Sequence, residues 1–258
     1  MIDISDVYAY LLVLTRMTSF LVTVPVFSSR GIPVYFKIGF AFFVSLIIFP
    51  VTMTEVTLSL NGSYIFFLIQ EAVLGLALGW TAQLIFTSIQ VAGSFIDLQI
   101  GFALANIIDP QTGIQSPMIG NFKYTFAVLL FFTLDIHHLF IEGIISSYKL
   151  LPIAGQWLIE VKGVALTSFV LSTFSNMFVI AFKIAAPLVV TLLLADIALG
   201  IVARTVPQLN VFVVGLPLKI IINFILLLLI STGLIYIFKE IFMEMVYSIK
   251  QLIEILGS

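Results

Sequence analysis

Seven ionisable side chains interrupt otherwise apolar stretches of this sequence: Arg16, Glu71, Asp97, Asp135, Lys183, Asp196 and Arg204. A charge at the centre of a membrane-spanning helix costs about 2.5–3.5 kcal/mol on insertion scales, so each of these needs a reason to be there. One reason is chemistry, since a line of such groups can relay ions or protons. The other is pairing inside a protein–protein interface, and the near balance of acids and bases among the seven suits that reading. Asp196 and Arg204 lie eight residues apart, two helical turns, so both can point into the same interface.

Metal and nucleophile chemistry fare worse. The run Asp135-Ile136-His137-His138 invites a metal, but neighbouring side chains on a helix diverge by about 100°. The chain has two His and no Cys, so three nitrogen or sulfur ligands are not available. No metal and no cofactor are expected, and a bend or polar contact at a helix boundary is the alternative for this run. No Ser stands in a Gly-x-Ser-x-Gly elbow and no glycine-rich phosphate loop is present, so no enzyme is expected either. "GLALG" at 75–79 places Gly75 and Gly79 at the small-xxx-small spacing that lets helices approach closely.

The elements that carry these groups are set by an unusual composition. Of 258 residues, 61% are hydrophobic and 9% charged, against about 25% charged in a soluble domain. Water cannot be the only solvent. A net charge of −2 excludes a broad basic surface for nucleic acid. The opening "MIDISD" has no Lys or Arg before Arg16, so a cleavable signal peptide is not expected.

Apolar runs fall at 7–29, 35–53, 64–96, 118–151, 164–203 and 211–238, with an amphipathic tail at 239–256. About 20 helical residues cross a bilayer core of about 30 Å, so 64–96 and 164–203 are too long for one crossing. Either each breaks into a hairpin, or other protein covers the excess; Pro187 permits a break in the second. Orientation cannot be read from charge, because Arg30, Lys37, Lys123, Lys149, Lys162, Lys219 and Lys239 scatter over nearly every connection. In the tail, Ile237, Ile241, Met245, Ile249, Leu252 and Leu256 form one stripe, opposite Glu240, Glu244, Tyr247, Gln251 and Glu254. That stripe predicts a helix lying on an assembly or membrane surface. A weak echo links 23–38 with 205–220, each holding Thr-Val-Pro, Gly-x-Pro and Lys-Ile. It reads either as coincidence or as two hairpins turning through similar corners, a pattern also met in transporters.

One segment breaks the apolar pattern. "DLQIGFALANIIDPQTGIQSP" (97–117) packs two Asp, three Gln, one Asn, two Gly and two Pro into twenty-one residues. Asp109-Pro110 and Ser116-Pro117 disfavour helix continuation. Irregular backbone at membrane depth survives only when buried in protein or lining a watery cavity. An exposed loop is the other reading, though "IGFALANII" (100–108) would be poorly solvated. Apolar side chains that keep a passage dry, beside glycines and polar groups that let it open, suit a constriction. The same holds for "RTVPQLNVFVVGLPLK" (204–219).

These stretches carry a family resemblance. "GSFIDLQIGFALANIIDPQTGIQSPMIGNF", "LDIHHLFIEGIISSYKLLP" and "LLLADIALGIVARTVPQLNVFVVGLPLKI" (192–220) resemble the FliR family of the flagellar type III protein export gate. The likeness runs over essentially the whole chain, and virulence injectisome export proteins are similar but less so. It implies an all-α, membrane-associated protein whose helical hairpins form one subunit of a helical export-gate ring. Residues 1–160 would be a FliP-like part and 161–258 a FliQ-like hairpin with the amphipathic C-terminal helix. The implied partners are FliP and FliQ subunits, FlhB and FlhA, and exported flagellar proteins, in the inner membrane at the flagellar basal body. In this family the loop after Asp-Leu-Gln plugs the pore, here about 106–120: Asn106, Ile107, Ile108, Asp109, Pro110, Gln111, Gly113, Ile114 and Pro117. Asp97, Gln99, Gly101 and Phe102 would support its base. Glu71, Gly75, Gly79, Lys183, Asp196, Arg204, Pro207, Gln208, Asn210 and Phe212 would serve interfaces. An independent secondary transporter is the rival reading.

Overall fold

The computed structural model describes residues 4–29, 31–52, 62–102, 117–155, 157–160, 163–208 and 210–257. Among them all regular structure is helical, in keeping with the apolar periodicity: α1 (Ile4–Thr23), α2 (Val34–Thr52), α3 (Gly62–Ile100), α4 (Met118–Thr133), α5 (Ile136–Leu150), the short α6 (Trp157–Glu160), α7 (Gly163–Thr205) and α8 (Val211–Leu256). By length and composition α2, α3, α7 and α8 can each cross a membrane, and the broken pair α4–α5 can supply a fifth span.

The overlong runs do not fold back as hairpins. α3, α7 and α8 hold 39, 43 and 46 residues without a break, which at 1.5 Å per residue is about 58, 64 and 69 Å. Pro187 and Pro217 both lie inside helices. Each lacks an N–H and removes one ladder bond, yet neither ends its helix. The tail 239–256 is likewise no separate element but the continuation of α8. Its stripe packs on the chain's own helices rather than lying on an outer surface. Ile241, Met245, Ile249, Leu252 and Leu256 are buried, and the Phe242 ring stacks on Phe86 of α3 with centroids 6.4 Å apart.

The run 118–151 breaks at Leu134–Asp135, where Asp135 takes a left-handed backbone with φ 55°. Asp tolerates that region better than most residues, so the DIHH run marks a helix boundary. The corner after α1 contains a second positive φ, 72° at Val26, inside a tight turn closed by Phe27 N–H donating to the Pro25 carbonyl at 2.9 Å. The sequence echo does not extend to this geometry. Gly31-Ile32-Pro33 precedes α2, whereas Gly215-Leu216-Pro217 lies within α8. The scattered cations are also not all in connections, since Lys123 is buried in α4 and Lys219 lies within α8.

The chain forms two compact units. The first comprises residues 1–86, 135–174 and 242–258; the second comprises 87–134 and 175–241. In the first, α1 and α3 approach closely where Gly75 and Gly79 meet Ser19 and Thr23. A Cβ on Gly75 would overlap Ser19 Oγ and the Arg16 carbonyl oxygen. One on Gly79 would overlap Thr23 Oγ1 and sit 2.8 Å from the Phe20 carbonyl oxygen. Small residues spaced by four on both helices make this contact possible, as GLALG suggests. In the second unit Gly93 of α3 packs against the Gly120 backbone of α4 in the same manner.

Gly79→Val should therefore lower folded stability in detergent by about 1–3 kcal/mol through overpacking. Gly39→Ala, where a Cβ meets nothing within 4 Å, should leave it unchanged or raise it, and unfolding midpoints of the two variants compare them directly.

Candidate functional site

In the first unit Arg16 of α1 is wholly buried. Its guanidinium takes Glu71 of α3 at two points, Nε donating to Oε2 and Nη2 to Oε1, the latter at 2.9 Å. Nη1 donates to Ser147 Oγ of α5 and Nη2 to the Leu151 carbonyl, both at 2.9 Å. The Tyr148 ring lies 3.8 Å from the guanidinium carbon, a cation–π contact. Arginine's planar fork with five donors fits this set as lysine's point charge would not. Two of the seven charges thus cancel inside the chain, and one side chain ties three helices together.

The second unit holds the residues around the polar segment. Asp97, near the end of α3, accepts from the Ile119 amide at 3.1 and 3.2 Å and from the Gly120 amide at 3.5 Å. Those amides belong to the first turn of α4, which has no intrahelical acceptor of its own. Pro117, at its N-cap, offers no side-chain hydrogen bond, so a carboxylate from another helix does the capping, favoured by the helix dipole. Lys123, one turn further on, is 1% exposed and feels the Asp97 charge. Asp97 and Pro117 flank the polar segment, and this bond fixes one flank to the other.

Two residues beyond Asp97, Gln99 joins a third cluster. Its side-chain amide donates to Asp196 Oδ2 of α7 at 2.8 Å, and its carbonyl accepts from Lys219 Nζ of α8 at 3.1 Å. Asp196 and Lys219 form an ion pair. Beside them opens a cleft of about 250 Å³, lined by Ile100, Gly101, Leu199, Gly200, Gly215 and Leu216 together with the pair. Gly101 has φ 104°, a conformation nearly reserved for glycine. It ends α3 by donating its N–H to the Asp97 carbonyl at 3.1 Å.

The remaining sequence candidates divide by position. Phe102 is half-buried, as is Pro117. Asn106, Ile107, Ile108, Asp109, Pro110, Gln111, Gly113 and Ile114 lie outside the described residues. Lys183, Arg204, Pro207, Gln208 and Asn210 are exposed. Asp196 and Arg204 do not share a partner, for Asp196 turns to Lys219 while Arg204 stays on the surface. Asn210 carries a recognisable task, its Oδ1 accepting from the Val213 amide at 3.4 Å at the start of α8. Phe212 lies in α8, its side chain outside the described set.

The DIHH run is more compact than helix geometry suggests. Asp135, His137 and His138 hold ligand-type atoms within 4.8 Å of one another, and the two imidazoles are 4.1 Å apart. The left-handed Asp135 brings its carboxylate 3.6 Å from His138 Nδ1. This cluster sits at the positive end of α5, where the dipole opposes a cation.

Sequence reasoning missed Ser147 and Lys219 as partners of the interior charges, and Lys123 as a buried cation near Asp97. Ser147 carries no signal beyond its type. Lys123 and Lys219 had one, since a lysine amid apolar residues needs a buried acid as much as an aspartate needs a base.

Removing one member of the buried pair strands the other. Arg16→Met should cost about 3–5 kcal/mol of stability, and Arg16→Met with Glu71→Leu should recover most of it. Chemical unfolding of both variants in detergent measures the difference.

Comparison with known proteins follows the same residues. Positions 7–245 match the model for bacterial export proteins, family 1. The chain is 43% identical over 249 residues to the flagellar biosynthetic protein FliR of Bacillus subtilis strain 168, covering 96% of each. It is 30% identical over 233 residues to FliR of Escherichia coli K12, covering 89% of this chain and 88% of that one. The Yop proteins translocation protein T of Yersinia pestis is 28% identical over 229 residues, covering 85% of this chain and 84% of its own. With a match that runs through long apolar helices and polar corners alike, this chain belongs to family 1 of the bacterial export proteins, together with flagellar FliR.

Proposed function

We propose that this chain is a structural and gating subunit of the flagellar type III secretion export gate, in the inner membrane at the flagellar basal body. It helps form and plug the pore through which flagellar proteins leave. It performs no catalysis; partners and the membrane proton gradient supply the energy. The observation that carries this reading is apolar surface along helices far longer than a bilayer is thick. Leu171, Phe182, Leu194 and Ile201 of α7, and Ile221 and Leu228 of α8, are all more than half exposed. Lipid covers about 30 Å of such a helix, and the rest needs apolar protein. FliP and FliQ subunits in a hetero-oligomeric ring meet that need, with FlhB and FlhA beside them. On this reading residues 1–160 are the FliP-like part and 161–258 the FliQ-like hairpin.

Residues 106–120 act as the plug, with Asn106, Ile107, Ile108, Asp109, Pro110, Gln111, Gly113, Ile114 and Pro117 at its core. Support comes from both flanks. Asp97 bonds to the first turn of α4, and Gln99 is held by Asp196 and Lys219. A loop that blocks a pore needs a fixed base, and these bonds provide one. The Yersinia relative is the observation behind a second reading, a virulence injectisome subunit. The higher identity to a flagellar protein favours the first. A solitary secondary transporter is disfavoured because Arg16 and Glu71 neutralise each other inside the chain.

Deletion of 107–117 in the assembled complex should let ions or small solutes leak across membranes. Unchanged conductance with the complex intact would remove the plug assignment. Native mass measurement should find the purified chain bound to FliP-like and FliQ-like subunits; a stable solitary chain that moves a solute in vesicles would point to the transporter.

A further inference from the structure

Among the buried polar groups of the second unit that capping and packing leave unpartnered among the described residues, which include Ser88 and Asn223, Lys123 alone is a cation. It is 1% exposed, and its ammonium has no hydrogen-bond partner among the described residues. A helical side chain leans toward the helix N-terminus, so its charge is carried toward the positive end of α4, where the dipole opposes it. The acid acting on it is Asp97, whose carboxylate is already engaged by the Ile119 and Gly120 amides. Two donors of positive charge therefore face one acceptor, and in this structure only the helix end is bonded.

We propose that Asp97 is shared between two alternatives: the observed one, in which it caps α4, and a second, in which it pairs with Lys123 and the first turn of α4 is released. Both states hold the carboxylate through charge-assisted bonds, to helix amides in the first and to an ammonium of opposite charge in the second. The second state loses the cap and the tight seat of Gly120 on Gly93. Opposing terms of this kind leave two states close enough to interconvert, the condition for a conformational switch. Lys123 is thus a competitor of the observed arrangement rather than a support for it. The inference concerns α3 and α4 alone and does not depend on the plug reading.

The chain has no Cys, so a single introduced thiol reports without background. Ile119 is 3% exposed in the first turn of α4, and Ile119→Cys in the full chain, in detergent, should react slowly with a small maleimide. Adding Lys123→Met should slow that reaction severalfold and raise the unfolding midpoint. Adding Asp97→Ala instead should speed it about tenfold, and Lys123→Met should then have no further effect, the non-additivity expected of residues acting through one contact. The proposal is overturned if Lys123→Met leaves the rate unchanged or raises it, or acts equally with and without Asp97. It is overturned too if both Lys123→Met and Lys123→Gln fail to fold, since Lys123 would then be supporting the observed state.

Discussion

A single guanidinium holds the first unit in register. Arg16 reaches Glu71 on α3, Ser147 on α5 and the carbonyl of Leu151. In surroundings this apolar, the packing between helices has little directionality, because any greasy face suits any other. A buried pair with a full set of hydrogen bonds supplies the direction, since one turn of slippage between α1 and α3 would leave two charges unpaired. The stripe of glycines beside it works in concert. Gly75 and Gly79 bring the helix backbones near enough for Arg16 to reach its partner, and the pair forbids other offsets.

α3 repeats that logic along its length. It gives Glu71, Gly75 and Gly79 to the first unit, and Gly93, Asp97 and Gln99 to the second. In each, glycines on α3 permit a close backbone approach and an acidic or amide side chain a few residues away fixes what has approached. The polar residues of so apolar a chain are therefore concentrated where helices must be aligned, not spread over a solvated face. Asp97 shows the economy of the arrangement, as it caps a helix whose own N-cap residue is a proline.

Much of this could be read from residue types. The all-helical class came with the family resemblance, and GLALG gave a close helix contact without its partner, which the structure identifies as α1. DIHH gave the break at Asp135, because an aspartate followed by two histidines fits a boundary better than a helix interior. What stayed hidden was whatever depends on distant partners. That Arg16 would choose Glu71, fifty-five residues away, has no local signature. That the 239–256 stripe would face the chain's own α3 and α5 rather than a membrane surface has none either, since amphipathicity says that a face is covered and not by what. Run length alone leaves a hairpin and a single long helix both open for 164–203; the helix continues through Pro187, which removes one ladder bond without ending it.

The turn at Val26 shows what such packing can tolerate. A branched side chain in the left-handed region is disfavoured by about 1–2 kcal/mol, and burying a valine gains about 1.5–3 kcal/mol. With Val26 only 3% exposed, the corner keeps its shape because its neighbours grip the isopropyl group. Glycine there would relax the chain and forfeit the grip; alanine would keep the strain and forfeit most of the reward. The bend after the first helix is thus an inlay, held by the wood around it and not by its own grain.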